Sequence, residues 1–419
     1  MQRTGSRHPR IRVSTAADVP ALGASGFRAF RHGDVDGWTN YFAKHSHLTP
    51  RDTWIEEAQG EIRGHVSALR FQMALGGGDV DMRGYAAVAV APEHRRTGVA
   101  DRLMRHSLRA LRREHVPLTM LYPFSVPYYA RFGFARCEFV EEILATPASF
   151  PASALRSHVR RWVPERHGRE VRALYESWRR DRCGPFARKD WWWNERIPKR
   201  APDGAIFIEP GTDRVTGYML YDVPVDATYG SQQLVVRELV ATTPGATRGL
   251  WGFLAAFGEQ MGRVAILVPS GELPSFLTGY GDGHGFARFG FVHTLGSVGG
   301  GAMARILDVR AAVAAHPGAS RVRGDGAVTL NVRDPLDESP AKAWTLEAHA
   351  SRGVDARAAG AKRPTLRVDI GALSQIYVGA VRAVDLWSSG CVEGDRAAAE
   401  QLDQWFAGPR PFLCALNGF

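Results

Sequence analysis

Apolar positions in the first third of the chain predict two paired strands, a helix and a further strand. The strands Glu61 to Met73 and Val80 to Val90 flank the turn Gly76-Gly77-Gly78. A helix from about Ala100 to Arg113 follows. Its apolar residues at helical spacing are Leu103, Met104, Leu108 and Leu111. The apolar run Leu118 to Leu121 predicts the next strand, and this order of elements is typical of a mixed α/β domain.

A second region repeats this pattern. Ala205 to Ile208 and Val215 to Tyr221 predict strands, and the segment from Val236 to Trp251 parallels the strand, turn and helix of Ala87 to Leu103. Its helix is expected around Gly249 to Gln260. The repeat therefore predicts a second lobe with a similar fold.

The pattern changes again from about Ala302. The predicted elements there are strands at Met303 to Val309, Ala327 to Val332, Ala343 to Ala348 and Leu366 to Val368, and a helix near Ile370 to Tyr377. The run Thr146 to Ser153 has the Pro and Ser content of a linker. The sequence thus predicts an α/β (α+β) protein with domains at residues 1–146, 150–298 and 302–419.

Length and composition limit the class of protein. A chain of 419 residues is too long for one ordinary core, and 45% hydrophobic with 23% charged residues is typical of a folded, soluble protein. No apolar run reaches about 18 residues, and the polar start Met1 to Arg12 lacks the core of a secretory signal. We therefore expect a cytoplasmic protein with no membrane partner. The four cysteines are scattered, which predicts neither a zinc knuckle nor a disulfide framework.

The net charge of +10 raises the question of a nucleic-acid partner. Arginines are densest between Arg156 and Arg182, but no helix-turn-helix or RNP signature accompanies them. A solvated basic surface is therefore favoured over nucleic-acid binding.

The strand Val88 to Val90 and the turn after it predict an anion site. Pro92 ends the strand by removing a ladder N–H, and the turn leads into a helix whose first N–H groups and dipole favour a pyrophosphate. Gly98 lets the backbone approach an anion closely, while Arg95 and Arg96 add positive charge. The turn has neither the Gly-Lys-Ser/Thr of a Walker loop nor the G-x-G-x-x-G of a dinucleotide site.

The spacing Arg95-x-x-Gly98-x-Ala100 resembles the acetyl-CoA signature of the GNAT N-acetyltransferases. An ordinary strand-to-helix turn with solvated arginines is the alternative, but the flanking elements favour the signature. The resemblance implies acetyl-CoA as co-substrate. The residues implied to bind it are Val88, Ala89, Val90, Arg95, Arg96, Thr97, Gly98, Val99, Ala100, Asp101, Phe124 and Ser125.

The segment Pro127 to Phe134 resembles the Y-x-R-x-G-F segment of GNAT proteins, which places a tyrosine beside the thioester sulfur. Tyr129 matches that tyrosine. With an ordinary pKa of about 10, it can donate a proton to the departing CoA thiolate. A half-buried core aromatic is the alternative interpretation, and Tyr128 is the neighbouring candidate.

Both motifs, the length and the terminal sequence Phe412 to Phe419 resemble the Eis (enhanced intracellular survival) family of acetyltransferases. The resemblance implies two GNAT lobes and a domain like sterol carrier protein. The repeat from Val236 to Trp251 lacks the Arg-x-x-Gly-x-Ala signature, so we expect one acetyl-CoA per chain. It also implies a homohexamer, built as a dimer of trimers, and a C-terminal carboxylate in the active site. The chain departs from the family at Phe124 and Ser125, where a Ser-Glu pair is usual, and at Pro127, where glycine is usual.

The apolar end of the chain predicts a docked terminus, because chain ends usually fray into water. The apolar residues there are Phe412, Leu413, Leu416 and Phe419. By the family resemblance, the α-carboxylate of Phe419 is expected to accept the proton of the amine. The alternative is a tail that only covers a hydrophobic groove.

The acceptor site is the least specified. Phe27, Asp34, Asp36 and Trp38 lie where GNAT proteins form a substrate-covering helix and loop, and their aromatic and acidic groups are candidates for holding an amine. An amphipathic helix with an apolar face is the alternative. The cluster Trp191 to Trp193 favours packing in a core or between lobes over sugar stacking.

These residues and the resemblance predict an acetyl-CoA-dependent N-acetyltransferase of primary amines, such as an aminoglycoside-like antibiotic, a polyamine or a lysine side chain. Direct attack on the thioester requires neither a metal nor a covalent enzyme intermediate. The alternatives are another acyl donor in natural-product biosynthesis and a non-catalytic CoA-sensing scaffold. Because a basic surface repels cations, a cationic acceptor needs a local acidic pocket.

Overall fold

The computed structural model describes residues 9–224, 232–258, 261–272, 274, 296–319, 322, 324–337, 341–359 and 365–419. Its strands are β1 (Arg10–Val13), β2 (Thr53–Ala58), β3 (Glu61–Leu75), β4 (Asp79–Val90), β5 (Leu118–Leu121), β6 (Ala135–Arg136), β7 (Phe139–Ala145), β8 (Val159–Arg161), β9 (Cys183–Phe186), β10 (Asp203–Ile208), β11 (Val215–Asp222), β12 (Gln233–Ala241), β13 (Arg263–Pro269), β14 (Gly296–Gly300), β15 (Met303–Ile306), β16 (Gly326–Arg333), β17 (Lys342–His349), β18 (Gly353–Ala358), β19 (Leu366–Asp369) and β20 (Glu393–Gly394). Its α-helices are α1 (Val19–Phe30), α2 (Val35–Lys44), α3 (Val99–Arg113), α4 (Val126–Ala130), α5 (Pro164–Arg179), α6 (Ile197–Arg200), α7 (Pro244–Ala255), α8 (Val309–Ala315), α9 (Ile370–Tyr377), α10 (Ala383–Ser388) and α11 (Arg396–Phe406). None of the helices in these ranges has the length and apolar character needed to cross a membrane.

The described strands form three mixed sheets. Their orders are β1-β2-β3-β4-β5-β15-β6, with β9 also paired to β3, then β14-β7-β13-β12-β11-β10-β8, and finally β18-β17-β16-β19-β20. Each sheet contains one parallel pair among the described residues, namely β4 with β5, β12 with β13, and β16 with β19. In the first two sheets a helix joins the two parallel strands, α3 between β4 and β5 and α7 between β12 and β13, which is the strand, turn and helix order that the repeat in the sequence predicts.

Two predicted elements have different bounds in the structure, and side-chain caps explain both. The strand expected to reach Val309 ends at Ile306, because Asp308 caps α8 by accepting from the N–H of Ala311 (3.0 Å). The helix expected around Gly249 to Gln260 begins earlier, at Pro244, behind the cap Thr243. Gln260 itself lies outside the described residues.

Strand pairing crosses the predicted domain boundaries at residues 146 and 302. β7 precedes the linker but pairs with β13 and β14 in the second sheet, whereas β15 pairs with β5 and β6 in the first. Buried strands need hydrogen-bonding partners on both edges, and a local apolar pattern does not say which sheet supplies them. The two lobes are therefore interlocked rather than divided at those positions.

The segment after α11 runs back between the two lobes. The N–H of Phe412 donates to the carbonyl of Cys183 (2.9 Å), and the N–H of Leu413 donates to Oε1 of the buried Glu138 (2.7 Å). The indole of Trp192, which is fully buried, donates to the carbonyl of Leu416 (2.8 Å). The tryptophan cluster thus packs between lobes, as the favoured interpretation predicts, and it holds the tail.

Candidate active site

The candidate site begins where β4 and β5 part. Their ladder ends at Tyr85 opposite Leu121, whereas β4 continues to Val90 in pairing with β3. A bulge in this part of β4 holds Ala87 at φ 48°, a left-handed backbone conformation that residues other than glycine rarely adopt. No described strand pairs with the β5-facing edge of Val88 to Val90, so its backbone groups are available to a ligand.

One cavity, of about 810 Å³, lies between this edge and the start of α3, and we call it the donor cavity. The predicted acetyl-CoA residues that line it are Val88, Ala89, Val90, Arg95, Arg96, Gly98, Val99, Ala100, Asp101 and Phe124. Thr97 and Ser125 do not line it. The Thr97 hydroxyl donates to the carbonyl of His94 (2.7 Å), and Ser125 caps α4 by accepting from the N–H of Tyr128 (3.4 Å).

Positive charge in the donor cavity is concentrated at the start of α3. Gly98 is the N-cap, at φ 82°, and the first N–H groups of α3 have no acceptor within the helix. Arg96 forms no ion pair with a residue that the structure describes, and the guanidinium of Arg95 donates to the carbonyl of Ala29 (3.0 Å). Arg102, by contrast, is paired with the buried Glu56 (2.7 Å). This end of the cavity can hold a pyrophosphate.

We expect Gly98→Ala to weaken acetyl-CoA binding, with a several-fold rise in its KM. An alanine at φ 82° costs about 1 kcal/mol of strain, and its Cβ would lie 2.9 Å from Nη1 of Arg102, which must then move. Gly60 is a matched control, because it has φ 81° with open space around it. Initial rates should show that Gly60→Ala leaves the KM unchanged, and equal rises in both variants would contradict a role for Gly98 in binding.

A second cavity, of about 510 Å³, adjoins the donor cavity through Phe30, Val88 and Phe124, and we call it the acceptor cavity. Tyr129 and Phe419 both line it, although they are far apart in the sequence. The structure therefore brings the two predicted catalytic residues together beside the open strand edge.

Two of the four predicted acceptor residues line the acceptor cavity. Asp34 and Trp38 do so, and the Trp38 ring stacks on Phe30 with centroids 5.0 Å apart. Phe27 and Asp36 line neither cavity. The guanidinium of Arg31 lies over the Phe27 ring, 5.9 Å from its centroid. Asp36 is exposed in the first turn of α2. Phe27 and Asp36 lie on parts of α1 and α2 that face away from the cavity. Their spacing in the sequence therefore could not distinguish them from Asp34 and Trp38.

Tyr129 is placed to keep its proton. Its side chain is 3% exposed, and burial raises the pKa of its phenol above the ordinary value, with a smaller contribution from Tyr128. No hydrogen bond to a described side chain contributes to that shift. Tyr128 lines the donor cavity instead, where its ring faces the guanidinium of Arg131 at 4.9 Å. This placement favours Tyr129 as the proton donor at the junction of the cavities.

The end of the tail is held against the acceptor cavity by both lobes. Nη2 of Arg196 donates to the carbonyl of Gly418, and the ring of Phe419 packs against Tyr122 with centroids 5.4 Å apart. Gly84 on β4 leaves room for that ring, since a Cβ there would lie 2.7 Å from it. This docking places Phe419 in the lining of the acceptor cavity.

A buried polar network holds Asn417, two residues before Phe419. Oδ1 of Asn417 accepts from Nε of Arg188 (2.8 Å), and Nδ2 of Asn417 donates to the hydroxyl of Tyr175 (3.2 Å). Arg188 is in turn paired with Glu238, and neither side chain is exposed. Because buried polar groups are costly without partners, the network favours one position of the tail.

Sequence reasoning missed part of the acceptor cavity. The missed polar lining residues are His32, Tyr41, Tyr85, Tyr122, Arg196 and Arg200. The two arginines come from the second lobe, directly after the tryptophan cluster, and no local pattern connects them with a site in the first lobe.

The corresponding turn in the second lobe is not suited to an anion. Thr243 caps α7 by accepting from the N–H of Ala246 (3.1 Å). The carboxylate of Glu209 lies beside this cap and accepts from the hydroxyls of Thr243 (3.1 Å) and Thr216 (2.7 Å). A carboxylate at this helix end repels phosphate, so the described residues of this turn do not offer the anion site that is predicted for the first lobe.

Comparisons with known proteins agree with this architecture. Models of the acetyltransferase (GNAT) domain match residues 10–137 and 184–306, and a sterol carrier protein domain model matches residues 309–414. N-acetyltransferase Eis from Mycobacterium bovis is 27% identical over 397 residues, which are 88% of this chain and 90% of that protein. The match confirms the resemblance to Eis that the motifs indicate.

Solved structures resemble the whole chain in fold. The crystal structure of Eis1 from Mycobacterium abscessus has a TM-score of 0.73 at 21% identity, covering 97% of this chain and 99% of that one. A probable N-acyltransferase from Enterococcus faecalis has a TM-score of 0.81 at 19% identity, with coverage of 97% and 99%. These likenesses show the fold alone, and together with the domain models they confirm the predicted fold class.

Proposed function

We propose that this chain, an Eis-like N-acetyltransferase with two GNAT domains, transfers the acetyl group of acetyl-CoA directly to a primary amine. The observation that carries the proposal is the placement of Tyr129 and Phe419 in one cavity, which joins the anion site of the first lobe. Candidate acceptors are an aminoglycoside-like antibiotic, a polyamine or a lysine side chain.

In this proposal the donor cavity binds acetyl-CoA. The N–H groups at the start of α3, with Arg95 and Arg96, hold the pyrophosphate, and the open edge of Val88 to Val90 binds the pantetheine arm and polarises the thioester carbonyl. Phe124 and Val88 line both cavities, so the thioester passes beside them to meet the amine.

The proposed reaction is a direct displacement. The α-carboxylate of Phe419 accepts a proton from the substrate ammonium, and the nitrogen lone pair then forms the N–C bond with the acetyl carbon. The C–S bond breaks with its electron pair on sulfur, and Tyr129 donates its proton to that sulfur. After attack the nitrogen loses a second proton, which returns to Tyr129 through solvent, and the Phe419 carboxylate releases the first proton to solvent. The products are the amide, CoA with a free thiol and one released proton.

The test is thiol release from acetyl-CoA by the full chain with aminoglycosides, polyamines, amino acids and lysine peptides, with mass spectrometry of each amine. We expect thiol and acetylated amine to form in equal amounts. Binding of acetyl-CoA without thiol release for any amine would favour a CoA-sensing scaffold. Release from a different acyl-CoA alone would favour another donor.

The homohexamer and the cytoplasmic location rest on the family resemblance and the composition, and we retain both as proposals. Light scattering of the full chain after size-exclusion chromatography would measure six times the chain mass of 46.0 kDa for the hexamer.

A further inference from the structure

We propose that the acceptor is a small amine that also carries an anionic group, a carboxylate or a phosphate, and that Arg200 binds this group. The inference rests on the proposed function of the same cavity. It starts from the charges that line the acceptor cavity. Among the described residues, its lining contains Arg196 and Arg200 but one side-chain carboxylate, that of Asp34.

Asp34 is only partly available to a ligand. It caps α2, and its Oδ1 accepts from the N–H of Gly37 at 2.6 Å. The proposed mechanism assigns the Phe419 carboxylate to the reacting amine. Glu195, on the segment just before α6, pairs with Lys199 (3.3 Å) and does not line the cavity. A polycation would therefore find few acidic groups for its other ammonium groups.

Arg200 is the available cation. It ends α6 and lines the cavity, and its guanidinium forms neither an ion pair nor a hydrogen bond with a residue in the described ranges. Arg196 is different, because it donates to the carbonyl of Gly418 and holds the tail. The planar guanidinium of Arg200 suits a carboxylate or a phosphate, which it can bind through two parallel hydrogen bonds.

The two guanidinium groups lie close enough to repel each other. Burial, and after it the charge of Arg200, lowers the pKa of Arg196 to about 10. Both guanidinium groups lie near Gly418. Arg196 donates to the carbonyl of Gly418, and a Cβ built on Gly418 would lie 4.0 Å from Nη1 of Arg200. An anion bound there relieves this repulsion, whereas a second ammonium group increases it. A cavity of about 510 Å³ leaves room for a small amino acid or an amino phosphate.

The experiment compares acceptors that differ only in the anionic group. Lysine differs from cadaverine by its carboxylate, and O-phosphoethanolamine differs from ethanolamine by its phosphate. With acetyl-CoA and the full chain, we expect kcat/KM for at least one acidic member to exceed that of its partner by about tenfold or more, the size of one charge-assisted hydrogen bond. The pair with the larger ratio identifies carboxylate or phosphate as the ligand.

Substitutions assign the effect to Arg200. Arg200→Gln should bring the ratio of the preferred pair close to one, mainly by raising the KM of the acidic member, and Arg200→Lys should restore part of it. Lys199→Gln is the matched control, because this exposed neighbour pairs with Glu195 outside the cavity. Equal melting temperatures of the variants would exclude a folding defect.

The outcomes separate this inference from the proposed function. Faster turnover of cadaverine or kanamycin than of both acidic amines would overturn the inference and leave N-acetylation intact. A preference for acidic amines that survives in Arg200→Gln would overturn the assignment to Arg200. Absence of thiol release with every amine would overturn both proposals.

Discussion

Tyr129→Phe should lower kcat about 100-fold to 10,000-fold, the range for loss of one general acid, with little change in the KM for acetyl-CoA. The substitution removes only the hydroxyl, so the ring keeps its contacts with Phe124 and Phe134, at centroid distances of 5.3 and 6.2 Å. Because burial raises the pKa of the Tyr129 phenol, the wild-type group is protonated at neutral pH and ready to donate. The measurement is thiol release at saturating acetyl-CoA and amine.

Tyr128→Phe is the matched control for this experiment. The Tyr128 ring lines the donor cavity, and its hydroxyl is buried beside Arg131. Its removal should leave kcat within a few-fold of wild type. A large loss in Tyr128→Phe with normal turnover in Tyr129→Phe would reverse the assignment. Normal turnover in both would mean that water protonates the thiolate.

One glycine added after Phe419 should lower kcat about 100-fold or more, the effect of removing a general base. The extra residue displaces the carboxylate by up to about 3.6 Å, whereas proton transfer needs contact near hydrogen-bond distance. The tail cannot slide to compensate, because Arg196 holds the carbonyl of Gly418 and the buried Arg188 holds Asn417.

Phe419→Leu separates the carboxylate from the ring. This variant keeps the α-carboxylate on the residue that follows Gly418 and loses the aromatic packing on Tyr122, Phe71 and Phe186. It should therefore retain more activity than the extended chain, at a similar melting temperature. Full activity of the extended chain would support the alternative of a tail that covers a groove. Equal losses in both variants would assign the effect to packing of the ring.

Local features of the first lobe were predictable because periodicity and turn chemistry act over a few residues. The hairpin of β3 and β4, the helix α3 and the strand β5 follow the apolar pattern, and Gly98 takes the left-handed conformation that its place in the turn requires. Assignment of acetyl-CoA to this turn came from the family resemblance. The resemblance also implies Thr97 and Ser125, but their hydroxyls make local hydrogen bonds, and neither residue lines the donor cavity.

The acceptor side was less predictable. Phe27 and Phe30 are both aromatic and lie on one helix, yet only Phe30 lines the acceptor cavity. The same holds for Asp36 beside Asp34. Residue type and spacing identify a helix with candidate groups, but the direction in which that helix packs decides which of them reach the ligand.

The sequence by itself determined the local elements, the basic, glycine-containing turn before α3 and the apolar character of the tail. Only the tertiary structure decided that β7 and β15 pair across the lobes and that Arg196 and Arg200 from the second lobe line a cavity with Tyr129 and Phe419. Periodicity records how a segment buries its own apolar face, whereas the charge of a cavity depends on which distant segments meet there. That meeting is set by the packing of whole lobes, and no short stretch of sequence encodes it.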